Sequence, residues 1–204
     1  MTTRFLGMIS LVALAACGTS SSGGSSGGTT GTTGSTGTTG TSGSTGSCAI
    51  TMIPDAGCGD NQAGTGGSCF TAEPGGCWIQ EVQVADTLPA PAGGTPVDGT
   101  YDLTSRTAYT GAGGATGPDG QYSKHTLILA GGGLQEAQQN GSCAVERTSG
   151  TLTFSGAMVT YAQTCPVCSG NNCGGMAAYS ATSTAFTLYT TDNGKSRADV
   201  FTKR

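Results

Sequence analysis

Gly99-Thr100-Tyr101-Asp102-Leu103-Thr104-Ser105 has the same form as Gly150-Thr151-Leu152-Thr153-Phe154-Ser155, namely Gly-Thr-apolar-x-apolar-polar. Residues two apart lie on one face of a β-strand, so Tyr101 and Leu103 point to one side, while the intervening Thr and Asp face the other. Leu152 and Phe154 repeat this arrangement. The two stretches therefore predict strands that share one apolar core.

Similar short runs of alternating apolar and polar residues continue on both sides of these stretches, separated by Gly-rich turns. We predict strands at about residues 78–84, 100–109, 123–130, 134–139, 144–155, 158–164, 177–181, 185–190 and 197–203. Residues 134–139 contain Gln-Glu-Ala-Gln-Gln, which favours a helix by propensity, but a helix this short would be marginal. Asp192-Asn193-Gly194 predicts a tight hairpin turn. The expected fold is all-β, an antiparallel meander of about eight strands closed as a small barrel or sandwich.

The composition limits the possible functions. Of the 204 residues, 37 are Gly and only 10% are charged, which suits short strands and turns better than a helical bundle. The net charge is −4, and no cluster of Lys and Arg stands out. Because nucleic-acid binding depends on clustered basic side chains, we expect no nucleic-acid partner.

The N-terminus has the features of an export signal. Arg4 is followed by an apolar run too short to cross a membrane, and the run ends in Leu14-Ala15-Ala16-Cys17. This ending resembles the lipobox of bacterial lipoproteins. The resemblance implies a cleaved signal peptide at residues 1–16, diacylglycerol on Cys17 and a further acyl chain, such as palmitate, on its amino group. An ordinary secretory signal is the alternative. In many lipoproteins of this kind, an Asp after the lipidated cysteine retains the protein at the inner membrane, so the resemblance, with Gly18 at that position, implies the outer membrane.

Residues 18–47 consist only of Gly, Ser and Thr, so they have no apolar side chain to bury. We expect residues 17–47 to form a lipidated, flexible tether with a span of about 30 Å. A Cys-rich segment at residues 48–96, ending in a Pro-rich linker, and a β domain at residues 97–204 complete the predicted organisation.

Eight cysteines remain after Cys17, and an even number in an oxidising compartment predicts four disulfides. The cysteines form two groups along the chain, of which the first is Cys48, Cys58, Cys69 and Cys77 and the second is Cys143, Cys165, Cys168 and Cys173. Spacing favours disulfides between members of the same group.

Cys165-Pro166-Val167-Cys168 offers two other interpretations. Its spacing matches a thioredoxin-type redox pair, and with Cys143 and Cys173 it supplies four thiolates for zinc. A redox cysteine needs to lie at a helix N-terminus, whereas a Gly- and Asn-rich loop follows this pair. A zinc site needs reduced thiolates, but exported thiols oxidise before they bind metal. We therefore expect structural disulfides and no metal or cofactor.

From Gly99-Thr100-Tyr101 the chain resembles lipocalin-like β-barrel domains, whose first strand carries Gly-x-Trp under a basic residue from the last strand. Tyr101 takes the place of the Trp, and Lys203 and Arg204 are the candidate basic partners. The chain also resembles small exported lipoproteins of Gram-negative bacteria. The lipocalin resemblance implies an interior that holds one small apolar ligand, although the same side chains are expected to fill that space. The residues that would line it are Tyr101, Leu103, Leu127, Leu129, Leu152, Phe154, Tyr161, Phe186, Leu188 and Phe201.

No catalytic group stands out. His125 is the only histidine and alternates with Lys124, so we expect an exposed sheet residue. Glu136 and Glu146 are the only paired carboxylates outside turns, and the sequence does not bring them together. The favoured function is a non-enzymatic envelope lipoprotein in a structural or interaction role, with the membrane and an envelope protein as partners. The alternatives are a carrier of a small apolar ligand and a thiol-disulfide oxidoreductase that uses Cys165 and Cys168.

Overall fold

The computed structural model describes residues 48, 69–168, 173–192 and 194–204. The predicted signal peptide, Cys17, the tether and Cys58 lie outside these ranges, as does Asn193 of the predicted hairpin. The described residues form nine strands and no helix, which confirms the all-β fold, and residues 134–139 belong to a strand. The strands are β1 (Ile79–Val84), β2 (Gly99–Tyr109), β3 (Gly117–Ala130), β4 (Gly133–Asn140), β5 (Glu146–Ser155), β6 (Met158–Cys165), β7 (Gly174–Ala181), β8 (Ala185–Asp192) and β9 (Lys195–Lys203).

The sheet closes on itself. Each strand from β2 to β8 pairs antiparallel with its successor, and β9 returns to β2. The closing ladder runs from Tyr101 opposite Lys203 to Tyr109 opposite Ser196. Because the sheet closes, the first and last strands of the ring, β2 and β9, pair with each other. In an open sheet, both would be edge strands with unpaired backbone groups.

β1 sits between β2 and β3 where these two strands separate. They pair directly only from Gly99 opposite Leu129 to Asp102 opposite Thr126. Beyond that point, β1 runs parallel to β2 and antiparallel to β3. Because β1 offers backbone groups to both neighbours, the ladder continues where they part.

A strap at residues 69–77 crosses the outer face of the sheet. Its Gly75 N–H donates to the hydroxyl of Thr126 on β3 (2.7 Å), and Arg147 on β5 donates to the Ala72 carbonyl (2.9 Å). Arg147 also pairs with Glu73. A side chain at position 75 would meet the Arg204 guanidinium, the flexible end of an exposed side chain, which would have to move aside.

The inward-facing side chains divide the interior into two ends. Apolar residues occupy the end nearest Gly99, and polar or charged residues occupy the end nearest β1. The buried apolar cluster contains Tyr101, Leu103, Leu127, Leu129, Leu134, Val159, Tyr161, Ala177, Tyr179, Phe186 and Phe201.

Candidate functional site

The ten residues expected to line a ligand cavity do come together in the interior. Seven belong to the buried cluster, and Leu152, Phe154 and Leu188 pack against it. Phe154 contacts the edges of Tyr179 and Phe186, with ring centroids 5.1 and 6.4 Å apart. The space left at the centre is a cavity of about 20 Å³, enough for about one water molecule. The side chains therefore fill the interior of the apolar end. The cavity is lined by Leu127, Leu134, Leu152, Val159, Tyr161, Phe186 and Leu188.

A bulge in β2 brings a charge inside. The register with β9 shifts between Leu103 and Ser105, so the inward face passes from Leu103 to Arg106. Arg106 donates two parallel hydrogen bonds to Asp199, each 2.9 Å long, and a third to the Ser123 hydroxyl (2.8 Å). Burial alone would lower the pKa of Arg106, but the charge and hydrogen bonds of Asp199 raise it above its ordinary value.

The prediction that His125 is exposed was wrong, because His125 is 5% exposed and faces inward beside Phe201. Its Nε2 lies 2.7 Å from Oε1 of Glu136, whose residue is 4% exposed. The two atoms are close but not aligned for a hydrogen bond. His125 lies on the same strand face as Leu127 and Leu129. This two-residue spacing is visible in the sequence and indicates a buried position.

Glu136 and Glu146 lie on the inner faces of neighbouring strands. Glu136 is opposite Thr148 in the ladder, and Glu146 lies two residues before Thr148. The Thr148 hydroxyl donates to Glu136 (3.1 Å). Burial, with the nearby charge of Glu136, raises the pKa of Glu146. Burial likewise raises the pKa of Tyr161, with Glu136 adding to the effect.

A second charged pair lies on the inner faces of β1 and β9. Glu81 is 1% exposed, and its Oε2 lies 2.7 Å from Nε of Arg197. Burial raises the pKa of Glu81, as does the neighbouring Asp119 carboxyl, and together they outweigh the opposing effects of Arg197 and Arg106. This pair could not be predicted from the sequence, because β1 was not expected between β2 and β3.

The cysteines are bonded differently from the expected grouping. Cys48 bonds to Cys77 and Cys168 to Cys173, as the spacing favoured. The expectation was wrong for Cys69, which bonds to Cys165 across 96 residues and fixes the strap to β6. Because Cys165 and Cys168 have different partners, neither a disulfide between them nor a four-thiolate zinc site forms here. Cys143 is also disulfide-bonded.

The two candidate basic partners of Tyr101 separate. Lys203 is opposite Tyr101 in the ladder, and its side chain runs over Gly99. Arg204 reaches the outer face, where its guanidinium pairs with Asp102 through contacts of 2.6 and 2.8 Å. Only Lys203 therefore lies on the same face as Tyr101.

The charged side chains of the polar end contact one another, as in the pairs Arg106–Asp199 and Arg197–Glu81. His125 and Glu136 are 5% and 4% exposed, so the contact between them lies inside the closed sheet. Within the described ranges, no three His, Cys, Asp or Glu side chains come together to hold a metal ion. The same ranges contain no helix with the length and apolarity to cross a membrane.

Comparison of the chain with protein-family profiles, with curated proteins and with solved structures finds no match. The function is therefore inferred from the chemistry and geometry of the chain itself.

Proposed function

We propose that the protein is an exported, lipid-anchored protein of the cell envelope whose β domain has a structural or interaction role. The lipobox-like Leu14-Ala15-Ala16-Cys17 supports the anchor, and the tether at residues 18–47 would hold the domain away from the membrane surface. Gly18 favours the outer membrane. The proposal includes no catalytic activity.

One observation carries the proposed role: the interior is filled. The central cavity of the apolar end holds only about 20 Å³, and the polar end is occupied by ion pairs such as Arg106–Asp199. A filled, closed sheet has little internal volume for substrate. It does provide a rigid outer surface, which suits a module that binds through its exterior.

The disulfides support export. Three bonds are seen among the described residues, and disulfides of this kind persist in oxidising compartments outside the cytoplasm. Cys69–Cys165 joins distant parts of the chain, and Cys48–Cys77 joins the beginning of the Cys-rich segment to the strap. The domain would therefore keep its shape on a flexible tether.

The two alternatives have less support. An internal carrier of an apolar ligand needs far more space than the central cavity provides. An oxidoreductase using Cys165 and Cys168 needs those sulfurs to bond to each other in the oxidised state, whereas they bond to Cys69 and Cys173.

Membrane fractionation of the full-length protein tests the proposal. Wild type is expected in the detergent phase and to incorporate labelled palmitate, whereas Cys17→Ser is expected in the soluble fraction without label. Ser47→Ala, a change elsewhere in the N-terminal region, is the matched control and should partition like wild type. If Cys17→Ser stays with the membrane, the lipid-anchor proposal is wrong.

A further inference from the structure

We propose that the cleft at the apolar end of the closed sheet binds a small amphiphilic cation, an organic amine that carries one apolar ring system. We call it the end cleft, and its volume is about 250 Å³. Ligand binding in the end cleft would be a function in addition to the structural or interaction role proposed above. It is lined by Gly94, Thr95, Pro96, Asp98, Leu129, Gly132, Gly133, Leu152 and Phe154.

The wall of the end cleft is apolar. Leu129 is 5% exposed, and Leu152 and Phe154 are half-buried and pack against the main core. Sites for drug-sized ligands usually measure about 300–1,000 Å³, so a cleft of this size suits a ligand at the small end of that range. An apolar ring placed here would cover surface that water now reaches.

Asp98 supplies the charge that selects a cation. Its Oδ2 accepts a hydrogen bond from the Gly131 N–H (2.9 Å), which orients the carboxylate at the rim of the cleft. Asp98 is an exposed residue, and no hydrogen bond to its other oxygen, Oδ1, is seen among the described residues. No ion pair with Asp98 is seen in the described part of the chain. An ammonium group can therefore pair with this carboxylate while its apolar part lies against Phe154.

The linker that forms one side of the cleft is held in place. The Tyr179 hydroxyl donates to the Gly94 carbonyl (2.7 Å), and Gly93 exchanges backbone hydrogen bonds with β7. Gly94 has φ +117°, and a Cβ there would lie 2.3 Å from the Ala181 carbonyl oxygen. The wall is thus fixed before a ligand arrives, which reduces the entropy lost on binding.

Leu152 connects the end cleft with the interior. It lines both the cleft and the central cavity of about 20 Å³. The ring of a ligand would therefore rest on the outer side of the packed core, and its binding does not require the filled interior to open. The end cleft shares Leu129, Leu152 and Phe154 with the internal ligand site that a lipocalin-like carrier would use, but it lies outside the filled centre of that site.

Three probes that share one naphthalene ring test the proposal by isothermal titration calorimetry on the full-length protein. They are 1-naphthylmethylamine, 1-naphthalenemethanol and 1-naphthoate, which are cationic, neutral and anionic at pH 7. We expect the amine to bind about threefold to fivefold more tightly than the alcohol, as an exposed ion pair allows, and the anion to bind most weakly. Asp98→Asn should remove the preference for the amine and leave the affinity for the alcohol unchanged.

Two further variants locate the site. Thr95→Trp changes an exposed rim residue and should weaken binding of all three probes by filling the cleft. Asp86→Asn, at another exposed acid, should change none of them. The proposal is overturned if no probe binds wild type at millimolar concentration, if Asp98→Asn keeps the preference, or if Thr95→Trp binds like wild type. Membrane partitioning measures the anchor separately, so failure here leaves that proposal standing.

Discussion

Arg106 and Asp199 face each other inside the closed sheet, where Nε and Nη2 of the arginine each lie 2.9 Å from a different carboxylate oxygen. Their side chains are only 9% and 12% exposed. Removal of one partner leaves the other charge buried without compensation, so Asp199→Asn is expected to lower the free energy of unfolding by about 3–5 kcal/mol. Urea denaturation followed by circular dichroism measures the change.

The pair between Arg204 and Asp102 on the outer face provides the control. The Arg204 side chain is 53% exposed, so Arg204→Ala should lower the free energy of unfolding by at most about 1 kcal/mol. Equal losses in the two variants would show that the pair between Arg106 and Asp199 is not buried as described.

The raised pKa of Glu146 predicts how stability changes with pH. The folded protein holds the Glu146 proton more tightly than the unfolded chain does, since burial and Glu136 raise the pKa above its ordinary value of 4.5. The stability from this proton is present below the unfolded pKa and is lost as pH rises through the folded pKa. Glu146→Gln should therefore be more stable than wild type at pH 7.

Thermal unfolding between pH 3 and pH 8 checks this expectation. The gain from Glu146→Gln should shrink as the pH falls and vanish below about pH 4, where both states of the wild-type residue are protonated. Asp86→Asn, at an exposed acid, serves as the control. A Glu146→Gln variant less stable than wild type at pH 7 would mean that the ionised carboxylate is stabilised by its surroundings.

The disulfides should differ in how much each contributes to the free energy of unfolding. Cys69–Cys165 closes a loop of 96 residues, and Cys168–Cys173 closes one of 5. By loop entropy, replacing both cysteines of the long loop with Ala should cost about 4–5 kcal/mol, against about 2 kcal/mol for the short loop. Guanidinium denaturation of the two double variants gives the order, and a larger loss from the short loop would contradict it.

Gly94 is expected to tolerate no side chain. Its φ is positive, and an added Cβ would lie 2.3 Å from the Ala181 carbonyl oxygen, so Gly94→Ala must displace the linker from β7. Gly113 also has a positive φ but meets nothing within 4 Å. Gly94→Ala is therefore expected to lower the melting temperature more than Gly113→Ala, because it adds the collision and has the less favourable φ, +117° against +76°. Equal melting temperatures would show that the linker does not lie against β7.

The strands could be predicted because alternation is a local signal. Tyr101 and Leu103 point inward as their spacing indicated, and Asp102 faces outward. The alternation fails at the bulge between Leu103 and Ser105, where one extra residue turns Arg106 inward. A bulge of this kind depends on pairing with β9, which is distant in sequence and cannot be seen in β2 itself.

His125 shows a different limit. Its position in phase with Leu127 indicated the interior, but polarity favoured the surface, and the deciding partner, Glu136, comes from the next strand. The bond between Cys69 and Cys165 also depends on the tertiary path of the strap, and spacing along the chain carries no record of that path. Seven of the eleven residues of the buried apolar cluster could be named from the sequence, whereas the charged pairs of the polar end could not. The four that were not named are Leu134, Val159, Ala177 and Tyr179.

We propose that the disulfide-closed β domain is held at the cell envelope by a lipid anchor. The mass of the intact protein purified from membranes, measured without reduction, reports the anchor and the state of the cysteines together. We expect a chain that begins at Cys17, carries diacylglycerol and a further acyl group, and has its remaining eight cysteines fully oxidised. A mass that corresponds to an unlipidated chain, or one with free thiols, would contradict this proposal.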